Sequence, residues 1–196
     1  MNSALGLWME ENSKLFRYSV DALSLKDNIG RILLSGGAST MLSGVYNTLC
    51  KGAEIIAVDE REDYLEDGKS ECPSLEIVKA PFASYIGKEN FDLAVSVLQI
   101  QSLNTRELTP YLFNLYDLLS TGGVLYLSFP DAVGLTAMEK NLYPSWYSMD
   151  EEVYMKYYMA DDVINALSLI GFDIKAIEAD DNEDIAHVVS LLATKK

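Results

Sequence analysis

Apolar residues along this chain follow two rhythms: short unbroken runs, and longer stretches in which they recur every three or four positions. Runs at residues 32–35 (ILLS), 54–58 (EIIAV), 75–80 (LEIVKA), 91–100 (FDLAVSVLQI) and 124–129 (VLYLSF) predict five strands, the first of them fully buried. A helix is predicted over about residues 5–25, with Leu5, Leu7, Trp8, Leu15, Phe16 and Val20 to one side. A second carries Met41, Leu42, Val45, Tyr46 and Leu49 and stops at Gly52. Thr109 and Pro110 supply an N-cap and a first-turn proline for a third, which runs through Leu119 and is closed by the TGG run. A fourth spans residues 159–170, with Val163, Ile164, Leu167 and Ile170 inward and Gly171 at its end. The segment EREDYLEDG, after Asp59, reads as a solvated acidic stretch. At the C-terminus FDIKAIEA and AHVVSLLA flank DDNED (residues 180–184), the pattern of an antiparallel hairpin with a solvated tip. The alternation predicts an α/β domain over residues 1–196, a seven-stranded mostly parallel sheet with helices on both faces. Residues 1–28 form an N-terminal helical segment, and residues 130–158 an aromatic-rich insertion. The closing hairpin sets this order apart from a dinucleotide-binding dehydrogenase, whose sixth strand stays parallel and needs a long crossover.

Composition narrows the partners. A chain of 196 residues with 49% hydrophobic and 23% charged content is sized for one domain with a sizeable core. The net charge of −15, with no basic cluster to offset it, repels phosphate backbones and anionic lipid, which disfavours nucleic acid and membrane surfaces. No apolar run reaches the ~18 residues that span a bilayer, and the start, MNSALGLWMEENSK, lacks the basic segment of a secretory signal. Cys50 and Cys72 have no paired spacing, as in a reducing, cytoplasmic setting. The single histidine, His187, sits in the last strand pattern and reads as structural, and DDNED lacks the spacing and glycine of a calcium loop. No metal site is expected.

The candidate chemistry gathers at strand ends. In RILLSGGAST the first strand runs into Gly36 and Gly37, where a ligand can approach the backbone closely as strand gives way to helix. Asp59 ends the second strand; a carboxylate there can accept both hydroxyls of a ribose, or it can simply begin a turn. Glu60 is the weaker backup. Phe82, after the third strand, can stack on a base or pack in the core. Ser96, Val97 and Leu98 approach the carboxyl end of the fourth strand, and Gln99 and Gln101 either hold a substrate or face water. Tyr143, Trp146, Tyr147, Tyr154, Tyr157 and Tyr158 suit an apolar, planar or cationic substrate, or else pack on the sheet or form a partner surface. Asp150, Glu151 or a tyrosine of this insertion could act as a base, but nothing singles one out, so no catalytic residue is assigned.

The ordered set — strand, glycine turn, helix, strand, Asp59, then FDLAVSVLQIQSL, LYDLLSTGGVLYLSFP and MADDVINALSLIGFDI — resembles the class I S-adenosylmethionine-dependent methyltransferases from about Arg31 to the C-terminus. The resemblance implies a Rossmann-like sheet and methyl transfer to a small-molecule acceptor. It also implies S-adenosylmethionine held by Ser35, Gly36, Gly37, Ala38, Asp59, Glu60, Phe82 and Val97, with the insertion capping the acceptor. The family's acidic residue followed by G-x-G-x-G becomes Leu34, then Gly36, Ala38 and Thr40, and no acid follows the third strand. Those departures imply the alternative, an inactive methyltransferase-like binding or assembly module without cofactor. The oligomeric state is not encoded in any of these patterns.

Overall fold

A computed structural model of the chain describes residues 13–87, 90–133, 143–144, 154–182 and 186–196. The chain enters through α1 (Ser13–Asp21) and a 3-10 turn (Ala22–Leu25), then builds β1 (Arg31–Ser35), α2 (Gly37–Thr40), α3 (Ser43–Leu49) and β2 (Glu54–Asp59). It continues with α4 (Glu62–Glu71), β3 (Glu76–Lys79), β4 (Phe91–Val97), α5 (Thr105–Leu118) and β5 (Leu119–Pro130). A two-stranded ribbon, β6 (Tyr143–Pro144) with β7 (Tyr154–Met155), precedes α6 (Ala160–Ile170) and the hairpin β8 (Phe172–Asn182) and β9 (Ala186–Lys195).

The main sheet has seven strands in the order β3-β2-β1-β4-β5-β9-β8. The strands from β3 to β5 pair in parallel, while β9 runs against both β5 and β8, so the hairpin's second strand is inserted beside β5 and its first takes the edge. Both faces are buried over the central strands, which is why those strands read as nearly unbroken apolar runs, while the edge strands β3 and β8 are partly exposed. On one face Leu33, Ala94, Leu125, Leu127 and Phe129 pack under Leu112 and Leu115 of α5 and Val163 and Leu167 of α6. On the other, Leu34, Ile55, Val95 and Tyr126 meet Leu15 and Tyr18 of α1, Tyr46 of α3 and Leu65 of α4. Successive helices therefore leave β1 and β4 on opposite faces, and the crevice between those two strand ends is the topological switch point of the sheet.

Several elements differ from the sequence pattern. Helix α5 starts at Thr105, not at Thr109. Asn104 caps it by accepting from the Arg106 N–H (2.9 Å), while its own N–H donates to Glu107 (2.8 Å). This reciprocal pair satisfies two orphan donors at the earlier position and leaves Pro110 inside the helix. The TGG run does not close that helix; it lies within β5, where a register shift against β4 and a positive φ at Gly122 absorb the extra residues. Most of the acidic stretch EREDYLEDG forms α4, an element not among the predicted helices. Leu65 and Gly68 are buried there while the acidic residues stay in water, with Glu62 and Asp63 favourably placed in the first turn. β4 ends at Val97, three residues short of the predicted strand, because Leu98 adopts φ +49° and a 3-10 turn follows.

Trp146, Tyr147, Asp150 and Glu151 lie outside the described residues, as do residues 1–12, with the start of the predicted first helix, and residues 183–185 of the hairpin tip. Tyr157 and Tyr158 are buried, and the Tyr158 hydroxyl donates to the Leu103 carbonyl (2.8 Å). Among the described residues no helix is long and apolar enough to cross a membrane, and no cluster of His, Cys, Asp and Glu is arranged to hold a metal ion.

Candidate functional site

The strand ends at the switch point are tied together by small polar side chains. Gly36 turns the chain out of β1 at φ +87°, in the region that favours glycine, and its N–H donates to the Val58 carbonyl of β2 (3.2 Å). Ser39, one turn on, donates to the Ser35 carbonyl (2.7 Å) and accepts from the Val97 N–H (2.8 Å), bridging β1 to β4. Beneath them the Tyr111 hydroxyl of α5 lies 2.7 Å from both Ser35 Oγ and Ser96 Oγ. Burial pushes the Tyr111 phenol up to about 12, so it stays protonated and serves as a neutral pin between the two strands.

Asp59 stands at the tip of β2, across the turn from Gly37. Its Oδ1 accepts from the Arg61 N–H (2.7 Å), and the backbone N–H groups of Glu60 and Gly37 also favour its charged form. Burial outweighs these donors and raises the carboxyl above its ordinary range. An under-solvated carboxylate of this kind still has acceptor capacity to offer a ligand.

Two side chains cover the glycines. The Tyr64 ring of α4 lies against Gly37, with Cδ2 2.1 Å from the position a Cβ would take there, and the Arg61 guanidinium sits 4.4 Å over that ring. Gln99, in the loop after β4, lays its amide over Gly36, with Oε1 2.1 Å from the corresponding Cβ position.

No protein-family model and no curated sequence matches this chain. Solved structures do. A Listeria monocytogenes protein described as a candidate S-adenosylmethionine-dependent methyltransferase superposes with a TM-score of 0.73 at 14% identity, over 95% of this chain and 98% of that one. The 1,6-didemethyltoxoflavin-N1-methyltransferase of Burkholderia thailandensis, solved with 1,6-didemethyltoxoflavin and S-adenosylhomocysteine, does so with a TM-score of 0.72 at 17% identity, over 97% and 81%. The chain has the fold of the class I S-adenosylmethionine-dependent methyltransferases. That fold hosts other chemistry as well, since the [4+2]-cyclase SpnF matches with a TM-score of 0.68 at 12% identity, over 91% and 80%.

Within this methyltransferase fold, Ser35, Gly36, Gly37, Asp59 and Val97 converge on the carboxyl edge of the sheet. The Ser35 hydroxyl and the Val97 N–H already have internal partners. Ala38 is half-buried in α2, and Glu60 is exposed beside Asp59. Phe82 is 6% exposed and packs its ring 4.8 Å from that of Tyr111, within the core cluster. Leu34 is fully buried in the opposite core, so its place ahead of the turn is one of packing. Sequence reasoning passed over Ser39, Tyr64 and Tyr111. For Tyr64 a signal existed: with Leu65 and Gly68 it repeats at helical spacing, which flags α4. For Ser39 and Tyr111 none did, because each acts through strands distant in sequence.

Proposed function

We propose that this protein is an S-adenosylmethionine-dependent methyltransferase acting on a small-molecule acceptor. The corner between Gly36, Gly37 and Asp59 would hold the adenosyl group, with Ser35, Ala38, Glu60, Phe82 and Val97 around it. The observation that carries the reading is Asp59, a half-buried carboxylate raised by burial and standing beside a glycine turn at the switch point. A ribose diol offers two further donors to the acceptor capacity that such a carboxylate keeps. The Burkholderia structure, with its bound S-adenosylhomocysteine and 1,6-didemethyltoxoflavin, supports the choice of cofactor and of a small-molecule acceptor.

When bound, the cofactor supplies a methyl group on a sulfonium whose leaving group departs neutral. The chain's own part is to bind and align. Asp59 orients the ribose by accepting from it, Gly36 and Gly37 permit close backbone approach, and the Tyr111–Ser35–Ser96 pin keeps the strand ends in register. Tyr157 and Tyr158, buried at the end of the insertion, would help keep water from the acceptor side.

Titrating the full chain with S-adenosylmethionine and S-adenosylhomocysteine tests this. A ligand at about a hundred times its dissociation constant should stabilise the fold by about 2.7 kcal/mol in denaturant melts. Asp59→Ala should weaken binding by about 1.5–3 kcal/mol in calorimetry. A second reading, a module of this fold that binds no cofactor, is favoured by the Gln99 amide over Gly36 and by the internal engagement of Ser35 and Val97. The absence of any stabilisation by either compound decides for it.

A further inference from the structure

The loop after β4 carries two signs of a conformation held against local preference. Leu98 sits at φ +49°, a region that a bulky L-residue rarely adopts. Gln101, 9% exposed, donates Nε2 to the Leu98 carbonyl (2.5 Å) but leaves its own buried Oε1 without a partner. A further bond, from the Leu98 N–H to the Ser128 carbonyl (2.9 Å), fixes the start of the loop to β5. The consequence of this shape is the placement of Gln99. Its Oε1 and Cδ lie 2.1 and 2.7 Å from where a Cβ on Gly36 would stand, so no ligand atom can reach that face of Gly36 while the amide is there. Yet the Gln99 side chain itself is weakly held, its one hydrogen bond among the described residues being Nε2 to Ser102 Oγ at 3.4 Å. The cover is therefore set by the backbone at Leu98 and is not locked by a partner of its own.

We propose that Gln99 is a displaceable cover over the Gly36 corner, closed in the free protein and swung aside when Leu98 leaves the left-handed region. This rests on the cofactor reading above. It makes the free chain self-inhibited, since the apparent affinity of any ligand for the corner is reduced by the fraction of time the cover is open.

Two measurements on the full chain test it. In the ligand-free protein, an NMR cross-relaxation signal is expected between the Gln99 β-protons, whose carbon lies 3.1 Å from the Cβ position on Gly36, and the Gly36 α-protons, and it should vanish on adding S-adenosylhomocysteine. By calorimetry Gln99→Ala should bind S-adenosylhomocysteine about tenfold more tightly than wild type, the factor for a corner open about a tenth of the time. No cross-relaxation signal in the free protein overturns the cover without reference to any ligand. Equal affinity of the two proteins overturns the cover and leaves the cofactor reading standing. Weaker binding by the variant overturns it too, and makes Gln99 a contact for the ligand. A signal in the free protein with no binding by either protein removes the cofactor reading, and the cover falls with it.

Discussion

Thr40 stands where a third glycine of the turn motif is expected, and the neighbouring helix accounts for it. Its Cγ2 methyl lies 2.2 Å from where a Cβ on Gly68 of α4 would be, while its hydroxyl donates to the Gly36 carbonyl (3.1 Å). The glycine that permits close approach has in effect moved from α2 to α4. Gly68→Ala should therefore overpack the contact and destabilise the fold by about 1–3 kcal/mol in urea. Thr40→Ser, which removes the methyl and keeps the hydroxyl, should recover part of that loss in the double variant, because the Thr40 carbonyl stays 3.0 Å from the new Cβ. Asp59 makes a second residue-level case, and its sign separates a ligand site from a structural turn. Burial raises its folded-state carboxyl above the unfolded value of about 3.9. A raised acid contributes stability that is full below the unfolded pKa and is lost as pH rises through the folded one. Asp59→Asn, which keeps an oxygen for the Arg61 N–H, should thus be more stable than wild type at neutral pH in urea melts. That advantage should shrink as pH falls toward the unfolded carboxyl range. A carboxylate present only to fix the turn would show the opposite, a variant less stable at neutral pH.

Helix α5 shows what a local pattern decides and what it leaves to packing. Asn104 and Glu107 form a reciprocal cap, so Asn104→Ala should cost about 0.5–2 kcal/mol in chemical denaturation. Asn-Thr-Arg-Glu and Thr-Pro are both legitimate start signals, their capping residues Asn104 and Thr109 five positions apart. Beginning at Thr105 adds a turn that buries Leu108 against the sheet face also covered by Tyr111, Leu112 and Leu115, and that gain is invisible to a window of a few residues. The four inner parallel strands, β2, β1, β4 and β5, were legible because a strand buried on both faces has little polar alternation to confuse it, and the exposed edge strand β3 was marked by Ile77 and Val78 alone. Helix α4 was harder to read, because charge dominates its composition and only Tyr64, Leu65 and Gly68 mark its inward face. The same division runs through the candidate site. Gly36 and Asp59 were readable, since a positive φ demands a particular residue and a strand tip has a fixed address in this fold. The amide of Gln99 over Gly36, the ring of Tyr64 over Gly37 and the Ser39 bridge arise where segments far apart in sequence meet, and no spacing along the chain encodes them.

Across the whole molecule, the net charge of −15 bears on which form of the proposed cofactor the corner would hold. S-adenosylmethionine has a sulfonium and an ammonium against one carboxylate and is a monocation near neutral pH; S-adenosylhomocysteine has lost the sulfonium and is neutral overall. A strongly acidic protein surrounds itself with a negative potential that concentrates cations and leaves neutral solutes unaffected. The field should therefore favour substrate over product at the corner and ease product inhibition. Salt removes such long-range attraction, since the Debye length falls from about 30 Å at 0.01 M to about 3 Å at 1 M. Calorimetric titrations at low and high sodium chloride should show S-adenosylmethionine binding weakening several-fold as salt rises, with S-adenosylhomocysteine nearly unchanged. Parallel behaviour of the two ligands would mean that the acidic residues act at a distance from the corner, as solvated helix faces such as that of α4, and that local contacts alone set the preference.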